Sequence, residues 1–161
     1  MPTAQAVFNR MLREQVAPRL RELGFKGSGQ NFSLPSETHY ALLGFQKSDF
    51  SDKSAARFTV NLTVVGREAW EQGSRRAWPD QPLRPPHANW GLPPMLEEKF
   101  AGAYWHSRIG FLMPGGRDRW WRVEADADTR DIAEAVAAEI EEFAVPAMRQ
   151  RMRQPEVPEG L

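Results

Sequence analysis

The feature that most constrains this chain is the unbroken alternation of apolar and polar residues from position 58 to position 64, FTVNLTV. Phe58, Val60, Leu62 and Val64 fall on one side of an extended chain, and Thr59, Asn61 and Thr63 fall on the other. A period of two is typical of a strand with one buried face and one polar face. The chain must therefore form a sheet, and other segments must cover its apolar side.

The ends of the chain predict helices that can supply this cover. Residues 3–23 have apolar side chains at helical spacing, and Pro18 predicts a kink because it removes a backbone donor. Near the other end, Asp128 is expected to cap a second amphipathic helix that runs to about Phe143, and Pro146 to open a short further one. Both apolar stripes are interpreted as core packing.

Four further segments predict strands around the central one. They are 26–34, which is the weakest, 40–48, 105–112 and 119–125. The links between them are short or loop-like and contain no crossover helix, so the sheet is expected to be mostly antiparallel. The predicted fold class is α+β: a single, mostly antiparallel sheet of about five strands with the N-terminal and C-terminal helices packed on one face.

The sequence predicts one domain, residues 1–153, followed by a disordered tail, 154–161. Residues 66–102 are predicted to be a long loop because prolines crowd its second half, with at most short helical turns near its ends. Its tryptophans, Trp70, Trp78 and Trp90, argue against a flexible linker and for a loop that packs on the domain.

Composition narrows the class of protein. The 161 residues are 41% apolar and 26% charged, which is typical of a globular domain. Acidic and basic residues balance at 21 each, so nucleic-acid binding is not expected. The sequence has no cysteine, which excludes disulfides, thiolate metal sites and a cysteine nucleophile. Without a signal-peptide pattern or an apolar run near ~18 residues, the expected location is cytoplasmic and not membrane-spanning.

Several short motifs occur in an order that resembles the DUF4304 family of small bacterial proteins of unknown function. They are Gly24-Phe25-Lys26, Asn31-Phe32, Phe45-Gln46-Lys47-Ser48, Phe58-Thr59-Val60-Asn61-Leu62, Arg108-Ile109-Gly110 and Trp120-Trp121. The resemblance spans roughly residues 5 to 148 and implies no reaction, so no catalytic residue is carried over from it. The proline-rich section 79–94 departs from the family pattern.

The polar face of the sheet is the candidate functional surface. Side-chain parity places these residues on it: Gln46, Ser48, Thr59, Asn61, His106, Arg108, Trp120, Arg122 and Glu124. Arg108 and Arg122 offer forked donors to an anion, Trp120 offers an apolar platform, and Gln46 and Asn61 offer orienting hydrogen bonds. The face is alternatively the wetted side of an ordinary antiparallel sheet, or it is covered by the long loop.

We therefore expect a non-catalytic binding domain for a protein, peptide or small anionic ligand, as a monomer or a homodimer. The competing hypothesis is a small hydrolase or nuclease in which His106 and Glu124 act as an acid–base pair. The remaining histidines, His39 and His87, have no metal-ligand spacing, so neither a metal nor another cofactor is expected.

Overall fold

A six-stranded antiparallel sheet is organised around one long strand. The computed structural model describes residues 2–155. Its strands are β1 (Lys26–Ser28), β2 (Asn31–Leu34), β3 (His39–Lys47), β4 (Ala55–Gly66), β5 (Tyr104–Arg108) and β6 (Trp121–Glu124). Strands β1 to β5 are neighbours in chain order, and β6 also pairs with β4. The predicted antiparallel α+β fold is confirmed.

Strands β5 and β6 share one edge of β4 and lie end to end along it. β3 follows the other edge of β4 through the pairs His39↔Gly66 to Lys47↔Phe58. On the shared edge, β5 pairs with residues 61–65 of β4 and β6 pairs with residues 55–58. The chain between β5 and β6 therefore turns at the junction of the two strands, beside the middle of β4.

The N-terminal and C-terminal helices cover one face of the sheet, as the sequence predicts. Each consists of two α-helical segments joined by a π-helical turn: α1 (Ala4–Met11) and α2 (Ala17–Glu22) flank Leu12–Val16, and α5 (Arg130–Glu139) and α6 (Val145–Met152) flank Ile140–Ala144. Phe58 lies fully buried between this layer and the sheet, with its ring centroid 4.9 Å from Phe8 and 5.4 Å from Trp121. At ~1.5–3 kcal/mol for each large apolar side chain, this interface is the main stabilising core.

Both π-helical turns are followed by a proline, which explains their position. In a regular α-helix the ring of Pro18 would clash with the carbonyl of Glu14, four residues earlier. The wider turn ends with the Ala17 N–H bonded to the Leu12 carbonyl, directly before Pro18. The C-terminal helix repeats the arrangement with a bond from the Val145 N–H to the Ile140 carbonyl before Pro146. The expected kink at Pro18 is thus absorbed by a π-bulge.

Half of the opposite face is covered by the segment between β4 and β5. This segment contains α3 (Arg67–Ala77), α4 (Pro94–Glu97) and a 3₁₀ turn at Glu98–Phe100. Trp70 of α3 stacks on Phe100 with centroids 4.9 Å apart, and both rings pack with Tyr104 and Val65 in a second apolar cluster. The prediction of one long loop over 66–102 missed an 11-residue helix, because its apolar stripe is short and its mean hydropathy is low.

Three local predictions need correction. The strand predicted over 105–112 ends at Arg108, and a 3₁₀ turn, Ile109–Leu112, follows it and leaves Phe111 54% exposed. The last strand begins at Trp121, not at residue 119. Thr129, not Asp128, is the N-cap residue of α5. The predicted tail falls largely on residues 156–161, outside the described residues. No helix within residues 2–155 has the length and apolar character to cross a membrane.

Candidate functional site

The second face of the sheet has a covered half and an open half. Residues 88 and 89 of the proline-rich loop lie directly on Gly44: a Cβ there would sit 2.4 Å from Asn89 Oδ1 and 3.1 Å from the Ala88 Cβ. Towards β5, the Tyr104 hydroxyl donates to the Trp90 carbonyl (3.0 Å). Beyond these contacts Thr59 is buried under the turn that carries Arg119, and the face opens to solvent at Arg57 and Arg122, at the end of β4 that pairs with β6. The loop therefore covers part of the predicted surface.

Asn61 anchors the loop to the sheet, and Gln46 orients Asn61. The Asn61 amide donates to Gln46 Oε1 (2.6 Å) and to Asn89 Oδ1 (3.0 Å), and the Asn89 amide donates to the Phe45 carbonyl (3.3 Å). Asn61 is only 2% exposed. The structure thus places these two predicted binding residues at the boundary of the covered half, where Asn61 bonds to the loop and Gln46 bonds to Asn61.

Arg108, Trp120 and Arg122 lie on the same face, as side-chain parity predicts. Arg108 is opposite Asn61 and Arg122 is opposite Arg57, and both partners belong to one face of β4. These partners are four positions apart, so the two arginines are separated by roughly 13 Å along the strand direction. Trp120 lies between them, with its ring centroid 5.3 Å from the Arg108 guanidinium carbon. We call Arg57, Arg108, Trp120 and Arg122 the arginine surface.

Asp118 fixes the geometry at the centre of this surface. Its Oδ2 atom accepts from Arg108 Nη1 (2.8 Å) and from the Trp120 indole N–H (2.9 Å). The turn that carries Asp118 is itself held by Thr59, whose hydroxyl donates to the Arg119 carbonyl (2.6 Å). The Arg108 guanidinium is therefore oriented and partly neutralised, while one face of it rests on the Trp120 ring.

The outer part of the arginine surface is more open. Arg57 and Arg122 are directly opposite each other on adjacent strands, and both are exposed. Arg122 Nε lies 3.4 Å from Glu124 Oε1, an ion pair with both side chains more than half exposed. Two like charges at opposed positions repel each other, so this end of the sheet favours an added negative group.

His106 and Glu124 are not brought together. His106 is opposite Thr63, Glu124 is opposite Ala55, and these partners are eight positions apart on β4. That separation is roughly 26 Å, far beyond the reach of a shared proton transfer. His106 Nδ1 instead lies 2.9 Å from the Thr63 hydroxyl, and burial, with a smaller contribution from the Arg108 charge, lowers the pKa of its imidazole.

Sequence reasoning missed Arg57, Asp118 and Asn89. Arg57 has the same parity as Thr59 and Asn61, so extending the alternation by one step identifies it. Asp118 lies in a turn and Asn89 in a proline-rich loop, where no periodic signal exists. Within residues 2–155 there is no cluster of three or more histidine, aspartate or glutamate side chains with metal-binding geometry.

Comparison with known proteins gives a family and nothing more specific. No curated protein and no solved structure matches the chain. One family profile matches residues 16–150, which is most of the chain and includes every strand, the last seven residues of the N-terminal helix and nearly all of the C-terminal helix. The chain therefore belongs to the family described as "Domain of unknown function (DUF4304)".

Proposed function

We propose that this protein is a non-catalytic binding domain that recognises an acidic segment of a partner protein on the arginine surface. The observation that carries the proposal is that Arg57, Arg108 and Arg122 share one face of the sheet, with the Arg108 guanidinium against the Trp120 ring. The proposal includes the cytoplasmic location expected from the sequence, which cell fractionation of a bacterial host would test, and the bacterial origin that the family resemblance implies.

The chemistry of the surface suits carboxylates spread along an extended peptide. Guanidinium groups donate paired hydrogen bonds to carboxylates, and Trp120 offers an apolar face between them. The spacing of roughly 13 Å between Arg108 and Arg122 corresponds to about four residues of an extended chain, which is more than a single small anion spans.

The internal acidic partners of these arginines do not prevent binding. Asp118 pairs with Arg108 and Glu124 pairs with Arg122, and Asp52 lies near enough to Arg122 to feel its charge, whereas Arg57 forms no ion pair within residues 2–155. Exposed ion pairs contribute only about 0–1 kcal/mol, so exchanging Glu124 for a ligand carboxylate costs little. Asp118 is less exposed and bonded to two groups, and we expect it to stay in place and orient Arg108.

The proposal is tested with a fluorescein-labelled peptide of alternating glutamate and alanine, using fluorescence anisotropy. Binding is expected to weaken as salt is added, and a peptide with glutamine in place of glutamate is expected not to bind. The double charge reversal Arg57→Glu/Arg122→Glu is expected to lower the affinity by about tenfold or more, since it removes charge-assisted hydrogen bonds and adds repulsion.

The matched control is Arg10→Glu/Arg13→Glu, which changes the net charge by the same amount on exposed positions of the N-terminal helix. This variant should bind the peptide nearly as well as the wild type. Equal losses in the two double variants would show a general charge effect and contradict the proposal, as would wild-type protein that binds the glutamate and glutamine peptides alike.

A further inference from the structure

The structure assigns a second binding site, independent of the arginine surface, to a pocket between α3 and the proline-rich loop, and its ligand is a single aromatic ring that carries one hydrogen-bonding group. We call it the tryptophan pocket. The residues that carry the argument are Trp70, Ser74, Trp78, Leu83 and Trp90, and the cavity volume is about 130 Å³.

The inner wall of the pocket is the rigid ring of Trp70, whose indole N–H already has a hydrogen-bond acceptor. Trp70 is 6% exposed, and its ring is held from behind by the stack on Phe100. Its indole N–H donates to the Arg84 carbonyl (2.6 Å), which also ties the loop to α3. Trp70 therefore presents an aromatic surface to the cavity without an unpaired polar atom.

Ser74 is the polar group that has no partner. It lies one helical turn after Trp70, lines the cavity, and is 5% exposed. Its hydroxyl oxygen is buried and forms no hydrogen bond with any group of residues 2–155. Buried hydroxyls are almost always bonded because an unmade hydrogen bond is costly. This oxygen has almost no surface open to the cavity, so a ligand reaches it only after the side chain turns about its Cα–Cβ bond towards the cavity that Ser74 lines. A hydrogen-bonding group on the ligand would then remove that cost.

The mouth of the pocket is apolar and accessible. Trp90 is 57% exposed and Leu83 is 48% exposed, and Trp78 lies beside Trp70 with ring centroids 6.4 Å apart. Large apolar side chains exposed together at the rim of a cavity are a feature of ligand sites. The indole rings favour an aromatic guest through stacked or edge contacts.

The volume sets the size of the guest. A dry cavity of about 150 Å³ is known to hold one benzene ring, so this pocket holds a molecule of about that size. A ring with one hydroxyl, a phenol, satisfies both the aromatic walls and Ser74. A phenol ring occurs both in free small molecules and in the tyrosine side chain. A tyrosine carries a peptide backbone that the mouth of the pocket must also accommodate, whereas a free phenol does not.

The test is a titration of the ¹⁵N-labelled protein with p-cresol, followed by NMR of the tryptophan indole N–H signals. Signals of Trp70, Trp78 and Trp90 are expected to shift, while those of Trp105, Trp120 and Trp121 stay in place. Toluene, which is p-cresol without the hydroxyl, should bind about fivefold or more weakly because it leaves Ser74 unpaired. N-acetyl-tyrosinamide then distinguishes the two sources. If it binds, the pocket admits a tyrosine side chain; if it does not bind while p-cresol does, the site is restricted to free phenols.

Variants at Ser74 separate the ligand role from a structural one. Ser74→Ala removes an unpaired hydroxyl, so its thermal midpoint is expected to equal or exceed that of the wild type. The same change should reduce p-cresol affinity to the level of toluene and leave toluene binding unchanged. Ser28→Ala, on the exposed strand β1, is the matched control and should change the affinity for neither p-cresol nor toluene.

Three results would overturn the inference. They are the absence of shifts with p-cresol, shifts confined to tryptophans outside the pocket, and equal affinity of the wild-type protein for p-cresol and toluene. The comparison of the two ligands needs no variant, so it stands even if a substituted protein fails to fold. None of these results bears on the arginine surface, whose test uses a charged peptide.

Discussion

Gly110 is the point at which a single methyl group should displace the turn that holds Trp120. A Cβ at this position would lie 2.2 Å from the Arg117 carbonyl oxygen and 2.4 Å from the Arg119 nitrogen. Ordinary contacts of a Cβ begin at about 3.4 Å, so both backbone atoms would have to move by roughly 1 Å. No side-chain rotation relieves the clash, because the neighbours are backbone atoms of the turn itself.

The magnitude of Gly110→Ala follows from this geometry. Inserting a methyl group into a closely packed site costs typically 1–3 kcal/mol, and the rigid neighbours place this case in the upper part of that range, about 2–3 kcal/mol. For a chain of this size, 1 kcal/mol corresponds to roughly 2–4 °C, so the thermal midpoint should fall by about 4–12 °C. Displacing the turn is also expected to lengthen the bond of Asp118 to Arg108, which lies on β5.

The measurement is urea unfolding followed by circular dichroism, together with the NMR signal of the Trp120 indole N–H. Gly91→Ala is the matched control, since a Cβ there meets nothing within 4 Å. It should be neutral or slightly stabilising, because alanine has fewer unfolded conformations than glycine. If Gly110→Ala is as stable as Gly91→Ala, the close approach of the turn to Gly110 is not real and the account of the arginine surface loses its support.

Two further predictions concern the core and pH. Phe58→Ala should cost about 3–5 kcal/mol in the free energy of unfolding, since the ring is fully buried, whereas Phe50→Ala, at 86% exposure, should cost little; similar losses in both would contradict the assigned core. Folding lowers the pKa of the His106 imidazole below its ordinary value of 6.5. Near and below pH 6.5 the unfolded chain therefore binds a proton at this side chain more readily than the folded protein does. Stability should therefore fall as pH decreases through this region, and urea unfolding of His106→Asn at several pH values should show a smaller fall. An unchanged slope would show that His106 is not the titrating group.

The regular parts of the fold were predictable because their signals are periodic. Alternation from Phe58 to Val64 identified the central strand and its buried side, and the same parity correctly grouped Arg108 with Arg122 on one face. The apolar stripes of the terminal helices identified the covering layer. In each case burial repeats at a fixed spacing, which a single sequence records.

The remaining features depend on contacts between distant segments. Asn89 reaches Asn61 from a proline-rich loop, and no local pattern predicts where such a loop lies. The separation of His106 from Glu124 arises because β5 and β6 occupy different stretches of the same edge of β4. Parity assigns a residue to a face but says nothing about its position along the neighbouring strand, so the acid–base hypothesis could only be judged from the register.

The π-bulges before Pro18 and Pro146 limit how the length of this chain can change. Each bulge contains one residue more than a regular helical turn, and one residue corresponds to about 100° of rotation. Deleting a residue from Leu12–Val16 would rotate Leu20 away from the sheet and return Pro18 to a backbone that its ring cannot enter. We therefore expect an insertion or deletion within either terminal helix to be more damaging than one in the exposed turn between β3 and β4.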